Sequence, residues 1–144
     1  MQPAQELVSL EPKPHALATK PDFYELAPKR MTDEAGVIAE LLSDIIKKQN
    51  LSVKIGGGHH VKVEGWTLAG AFLGIMAREK SVTHDGKDWI ASVDLVVIKS
   101  GMVIGGASAM CGNSDELWRT RPMNAQRSMA ITRATGKAFR LCLS

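Results

Sequence analysis

Asp88–Cys111, DWIASVDLVVIKSGMVIGGASAMC, is the stretch on which the fold turns. Asp88 to Lys99 carries Trp89 and a set of β-branched residues, and Met102 to Cys111 carries small ones. Lys99-Ser100-Gly101 lies between them as a turn, so the stretch reads as two long antiparallel strands. Ser81 to Thr83 is expected to pair with the first of these through a turn at His84-Asp85-Gly86. Together they predict a three-stranded antiparallel meander.

Working back toward the N-terminus, Trp66 to Arg78 has a helical pattern through Trp66, Leu68, Ala69, Phe72, Leu73, Ile75 and Met76. Gly70 and Gly74 lie four apart on it, a spacing that admits close approach by a strand or helix. Leu51 to Ile55 and His60 to Glu64 read as two short strands around Gly56-Gly57-Gly58-His59. A glycine run lets the backbone visit positive φ, as a tight hairpin requires. Thr32 opens an earlier helix as its cap, with Asp33 and Glu34 placed where the dipole favours negative charge. Val37, Ile38, Leu41, Leu42, Ile45 and Ile46 give that helix one apolar face to pack on a core, and Lys47, Lys48 and Asn50 close it. Residues 1–30 hold five of the six prolines and have no helical or strand period. They read as an extended arm, with Phe23, Tyr24 and Leu26 able to dock it on the domain or on a neighbouring subunit. The domain proper is then 31–144.

Downstream, Gly112 to Pro122 is a polar loop, and Pro122 suits the first turn of a closing helix over Met123–Ser144. The order helix, hairpin, helix, meander, helix predicts an α+β domain: an antiparallel sheet packed against helices. A chain of 144 residues fits one core. Met1 to Lys20 contains no apolar run of the kind a signal peptide needs. The longest small and apolar run, Thr67 to Ala77, is well short of the roughly 20 residues of a spanning helix. A soluble, cytoplasmic protein without a membrane partner is expected. Cys111 and Cys142 are too few and too isolated for a disulfide framework and read as reduced, partly buried thiols.

Charge is gathered at one end. Arg119, Arg121, Arg127, Arg133, Lys137 and Arg140 are accompanied by no Asp or Glu. Those six cations exceed the whole-chain excess of +3, so the remainder of the chain is net negative. A domain with such an end usually meets an anionic partner there, and phosphate backbones are the commonest. At about 100° per residue, Ala130, Ile131, Ala134, Ala138, Leu141 and Cys142 fall on one side of the closing helix. Arg133, Lys137 and Arg140 fall together on a flank of that stripe. The helix can bury its small residues and present three cations in a row, which suits the regular phosphates of a nucleic-acid strand. A solvated basic flank without a ligand is the competing reading. Trp118, beside Arg119 in the loop, can stack a base. It can equally plug the core edge or a subunit interface, and that reading is preferred. Trp66 and Trp89 read as core residues.

Order and motifs together resemble the annealing domain of the Rad-fifty-two recombination mediator family and its phage relatives, the Sak, Erf and Redβ/RecT proteins. The resemblance is carried by Gly56-Gly57-Gly58, a short strand, Glu64-Gly65-Trp66 opening a helix, three strands, and then Ser128 to Arg140, SMAITRATGKAFR. It covers roughly Met31 to Ser144. Gly136 stands where the family carries a lysine, and Thr67 where a basic residue often follows the Glu-Gly-Trp turn. The resemblance implies a β-β-β-α annealing core that assembles into rings or helical filaments, with single-stranded DNA in a basic groove and its bases free to pair. It implies Lys137 and Arg140 as groove cations, to which the helix-face reading adds Arg133. Arg127 matches a further basic position, and Arg119 and Arg121 lie in a loop where the family carries lysines. The implied activity is ATP-independent annealing for homologous recombination, in a phage or prophage setting. Its partners would be single-stranded DNA, copies of the chain itself, and an exonuclease or single-strand-binding protein. No enzymatic activity, cofactor or metal is expected, and the chain has no Gly-x-x-x-x-Gly-Lys-Ser/Thr loop.

Three other chemistries compete. A small RNA- or duplex-binding module would use the same helix without annealing, and a structural protein could use the basic face for assembly. A metal-dependent nuclease would need His59, His60, His84, Asp85 and Asp88 as ligands, but their spacing fits no zinc signature. His59 and His60 read instead as solvated turn residues, or as contacts to DNA or a neighbour. Glu64 reads as a capping or interface acid.

Overall fold

A computed structural model describes residues 27–143. The expected arm lies outside the described residues except at its end, and Ser144 lies outside them too. The elements run α1 (Pro28–Lys48), β1 (Ser52–Ile55), β2 (Gly58–Val61), α2 (Val63–Leu73), β3 (Ile75–His84), β4 (Asp88–Val97), β5 (Val103–Gly112) and α3 (Met123–Leu143). The fold is α+β. β3, β4 and β5 form an antiparallel meander, and α3 packs on it, mainly against β5 and β4. β1 and β2 form a separate two-stranded hairpin.

α1 begins four residues earlier than Thr32. Pro28 occupies the first turn, where its fixed φ suits a helix and its missing N–H costs nothing. Thr32 is therefore not a cap. It sits one turn inside and its Oγ1 donates to the Pro28 carbonyl at 3.0 Å. No residue of α1 is buried. Ile38, Leu42, Ile45 and Ile46 are half-buried, while Val37 and Leu41 face solvent, so the expected apolar face is only half used.

The hairpin turns on two residues, Gly56 and Gly57. Only Gly56 has positive φ (61°), the sign pattern of a turn with glycine first. The positive-φ requirement thus falls on Gly56 and not on Gly57.

α2 stops short of its expected end. Gly74, at φ 71°, caps it in the left-handed region, and Ile75 and Met76 pass into β3. β3 consequently runs the full length of β4, with an irregularity between Glu79 and Ser81. Of the two spaced glycines only Gly70 makes a close approach, since nothing lies within 4 Å of a Cβ at Gly74. A Cβ at Gly70 would lie 2.6 Å from the Phe139 ring and 2.8 Å from the Ile75 carbonyl.

Two buried clusters lie along α3. Ala130 and Ala134 pack with Ala91, Val93 and Cys111, and Ala138 and Phe139 pack with Ile75 and Leu95. The alanines recur every four residues and let the helix sit low on β5, whose inward residues are also small. Phe139, fully buried, supplies the bulk that the expected stripe lacked, whereas Leu141 is 66% exposed and leaves that stripe. Cys111 is buried and Cys142 half-buried, and both are free thiols. Burial pushes the Cys111 thiol up from its ordinary value.

The loop between β5 and α3 is pinned from below. The buried Asp88 carboxylate accepts from the Ser114 backbone N–H (2.9 Å) and hydroxyl (2.5 Å). Gln126 is also buried, and its Nε2 donates to the Trp118 carbonyl at 2.8 Å. Among the described residues no helix is long and apolar enough to cross a membrane.

Candidate nucleic-acid interface

A cleft of about 510 Å³ lies between the β1–β2 hairpin and α3. Arg133, Lys137 and Arg140 form one wall, since positions i, i+4 and i+7 share one flank of a helix. Helical rise spreads them over about 10 Å. His59 and His60 of β2 line the opposite wall, and Trp66 of α2 also borders the space. No Asp or Glu contributes to the lining. The hairpin reaches this position because the Lys62 N–H donates to the Leu51 carbonyl (2.8 Å) and α2 starts at once after it.

The three cations are not equivalent. Arg133 Nη2 meets the Asp115 carboxylate at 2.7 Å, and its Nη1 donates to the Met110 carbonyl at 3.0 Å. This hydrogen bond is the chief reason the Asp115 carboxyl is held below the usual carboxylate range. Arg133 also sits over Trp118, 6.0 Å from the ring centroid. Lys137 Nζ reaches the Ser108 carbonyl at 3.3 Å and faces no carboxylate among the described residues. Arg140 is exposed and likewise forms no ion pair among them. The expected row of three free cations is therefore two free cations and one partly neutralised guanidinium.

The other expected contacts do not join the cleft. Arg127 pairs with Glu79 of β3 at 3.4 Å and lies 5.9 Å from the Trp89 ring centroid. Arg119 pairs with Glu116 at 3.6 Å, one turn away in the loop. Arg121 is exposed in the same loop and outside the lining. Trp118 is half-buried against the Ala91 cluster at the core edge and lies outside the lining of the cleft. Gly56 and Gly57 make the turn itself, and Gly58 begins β2.

No family model, curated protein or solved structure matches the chain. The reading of the cleft rests on its own chemistry. Among the described residues, no three His, Cys, Asp or Glu side chains gather as a metal site would require. His84 ends β3 and Asp85 opens the turn to β4, where its Oδ1 accepts from the Lys87 and Asp88 backbone N–H groups. Those two bonds, the one from Asp88 foremost, hold the Asp85 carboxyl below its ordinary range.

Trp66 packs on the core cluster as its pattern predicts, and its second place, at the border of the cleft, is the part the sequence hid. It follows a helical apolar pattern and so reads as core. The usable signal was its position: it lies in the first turn of a helix that follows the hairpin at once, where a side chain can border both the core and the hairpin.

Proposed function

We propose that this cleft holds the sugar–phosphate backbone of single-stranded DNA, and that the protein anneals complementary strands without ATP as a homo-oligomer. The observation that carries the reading is the lining: Lys137 and Arg140, free of carboxylates among the described residues, follow the Asp115-paired Arg133 along one helix flank and are faced by a hairpin. Cations that hold phosphates leave base edges free for pairing, so binding is largely independent of sequence. Annealing requires the mutual repulsion of two polyanions to be screened, and a repeated array of such clefts screens it without nucleotide hydrolysis.

Assembly is supported by apolar side chains left in solvent at one end of the sheet. Phe72, Met76, Ile98, Met102 and Val103 are each about half exposed. Register places Met76 opposite Val96 and Val96 opposite Val103, so two of these positions flank the buried Val96 in one row across the sheet. Apolar patches of that kind mark contact surfaces. Single-stranded DNA, further copies of the chain, and an exonuclease or single-strand-binding protein are the partners in this reading, with recombination in a phage or prophage as the setting.

The deciding experiment mixes labelled complementary oligonucleotides with and without protein. Faster duplex formation without ATP is expected. Strands that are coated yet pair no faster would leave a simple nucleic-acid-binding module, and shortened strands in magnesium or manganese would instead identify a nuclease.

A further inference from the structure

We propose that Trp66 is the base-stacking residue of the cleft, so that each bound strand turns at least one nucleobase inward against its indole. The inference rests on the strand-binding reading and adds a ligand contact to it.

Trp66 touches two environments. On one side it packs against the cluster of Ile75, Leu95, Ala138 and Phe139. On the other it borders the cleft that Lys137 and Arg140 make cationic. The ring is half-buried, so packing fixes it before any ligand arrives. Stacking on a ring already held loses little conformational freedom. The other two indoles are engaged elsewhere. Trp118 lies under Arg133 and against the Ala91 cluster, and Trp89 lies between His84 and Arg127. Neither borders the cleft.

Size and chemistry agree with a nucleotide. The space of about 510 Å³ falls within the roughly 300–1,000 Å³ of small-molecule sites. It is bordered by an indole, two imidazoles from His59 and His60, and cations on the facing helix. Phosphate meets the cations and the base meets the indole. Base–aromatic stacking tolerates any base because each has a π-face, so sequence independence survives.

The test compares a short thymidine oligonucleotide with an abasic oligonucleotide of equal length, which keeps every phosphate and lacks every base. Binding is read by anisotropy of an end label and by quenching of intrinsic tryptophan fluorescence. The wild type should bind the thymidine strand about 5- to 100-fold more tightly than the abasic one and show quenching with the former only. Salt slopes should be equal for the two strands, because the phosphate contacts are shared. Trp66→Leu should bind both strands with the abasic affinity, and Trp66→Phe should recover most of the difference. Equal wild-type affinities would overturn the stacking role and leave backbone binding standing. Binding of neither strand would remove both. The first comparison uses the unaltered protein, so it does not depend on how well the variants fold.

Discussion

Arg133 illustrates how a residue's neighbours decide what its charge can do. A guanidinium with a carboxylate at 2.7 Å has little field left for a phosphate. Asp115→Asn should therefore free it: oligonucleotide affinity should rise and the salt dependence should steepen by up to about one unit of slope. The same pair sets a pH signature. A carboxyl held below its unfolded value stabilises the fold above that value, and the benefit is lost as pH falls through the folded one. Wild type and Asp115→Asn should thus differ in thermal midpoint near neutrality and converge below about pH 4. Midpoints that stay separated under acid would show that the pair adds no pH-dependent stability. Lys137→Ala and Arg140→Ala should each weaken single-strand binding and flatten the salt slope by about one unit, whereas Arg127→Ala, already paired with Glu79, should leave the slope unchanged. The helix flank was legible in the sequence because helical periodicity is local. The partners of Arg127 and Arg133 were not, because they lie 48 and 18 positions away and only the sheet brings them close.

Among the elements, the contact between α2 and α3 leaves no room for a Cβ at Gly70. Gly70→Ala would drive a methyl into the Phe139 ring and the Ile75 carbonyl, and a cost of about 1–3 kcal/mol is expected in urea unfolding. Gly136→Ala gives the opposite sign, because a Cβ there meets nothing within 4 Å and alanine suits a helix interior. A gain of about 0.5–1 kcal/mol is expected. Equal effects at the two sites would mean that the Gly70 contact is looser than its geometry. The meander was readable from Asp88 to Cys111 because its turn residues and alternation are local signals. The change from α2 to β3 was not: Ile75 and Met76 continue the apolar spacing of the helix, and the partner that claims them for a strand, Val96–Val97, lies beyond the next turn. Gly74 was visible as a residue but not as a stop, since a glycine inside a helical pattern is also tolerated.

For the molecule as a whole, the placement of charge favours polyvalent contact. Two cations per cleft unpaired among the described residues are a weak hold alone, and the proposed row of copies would multiply them through effective concentration. Light scattering should accordingly give a mass several times 15.6 kDa, and removal of single-stranded DNA should not return it to that value. A strictly monomeric mass would take away the array. Size and composition made a single α+β core legible. The cleft was not, because it forms between a hairpin and a helix separated by the whole meander.

The first helix has a consequence of its own. It leans on the rest of the fold without sinking a single side chain into it. Detaching it therefore exposes half-buried side chains such as Ile38 and Leu42 but none of the two buried clusters, so the remaining layers can stay folded without it. In deuterated solvent the amides of Val37 to Ile46 should lose their protons well ahead of those of Val93 to Val97. Behind it run two apolar troughs, one reaching Trp66 and the other His59. The first helix thus covers the back of two residues, Trp66 and His59, whose other side borders the cleft.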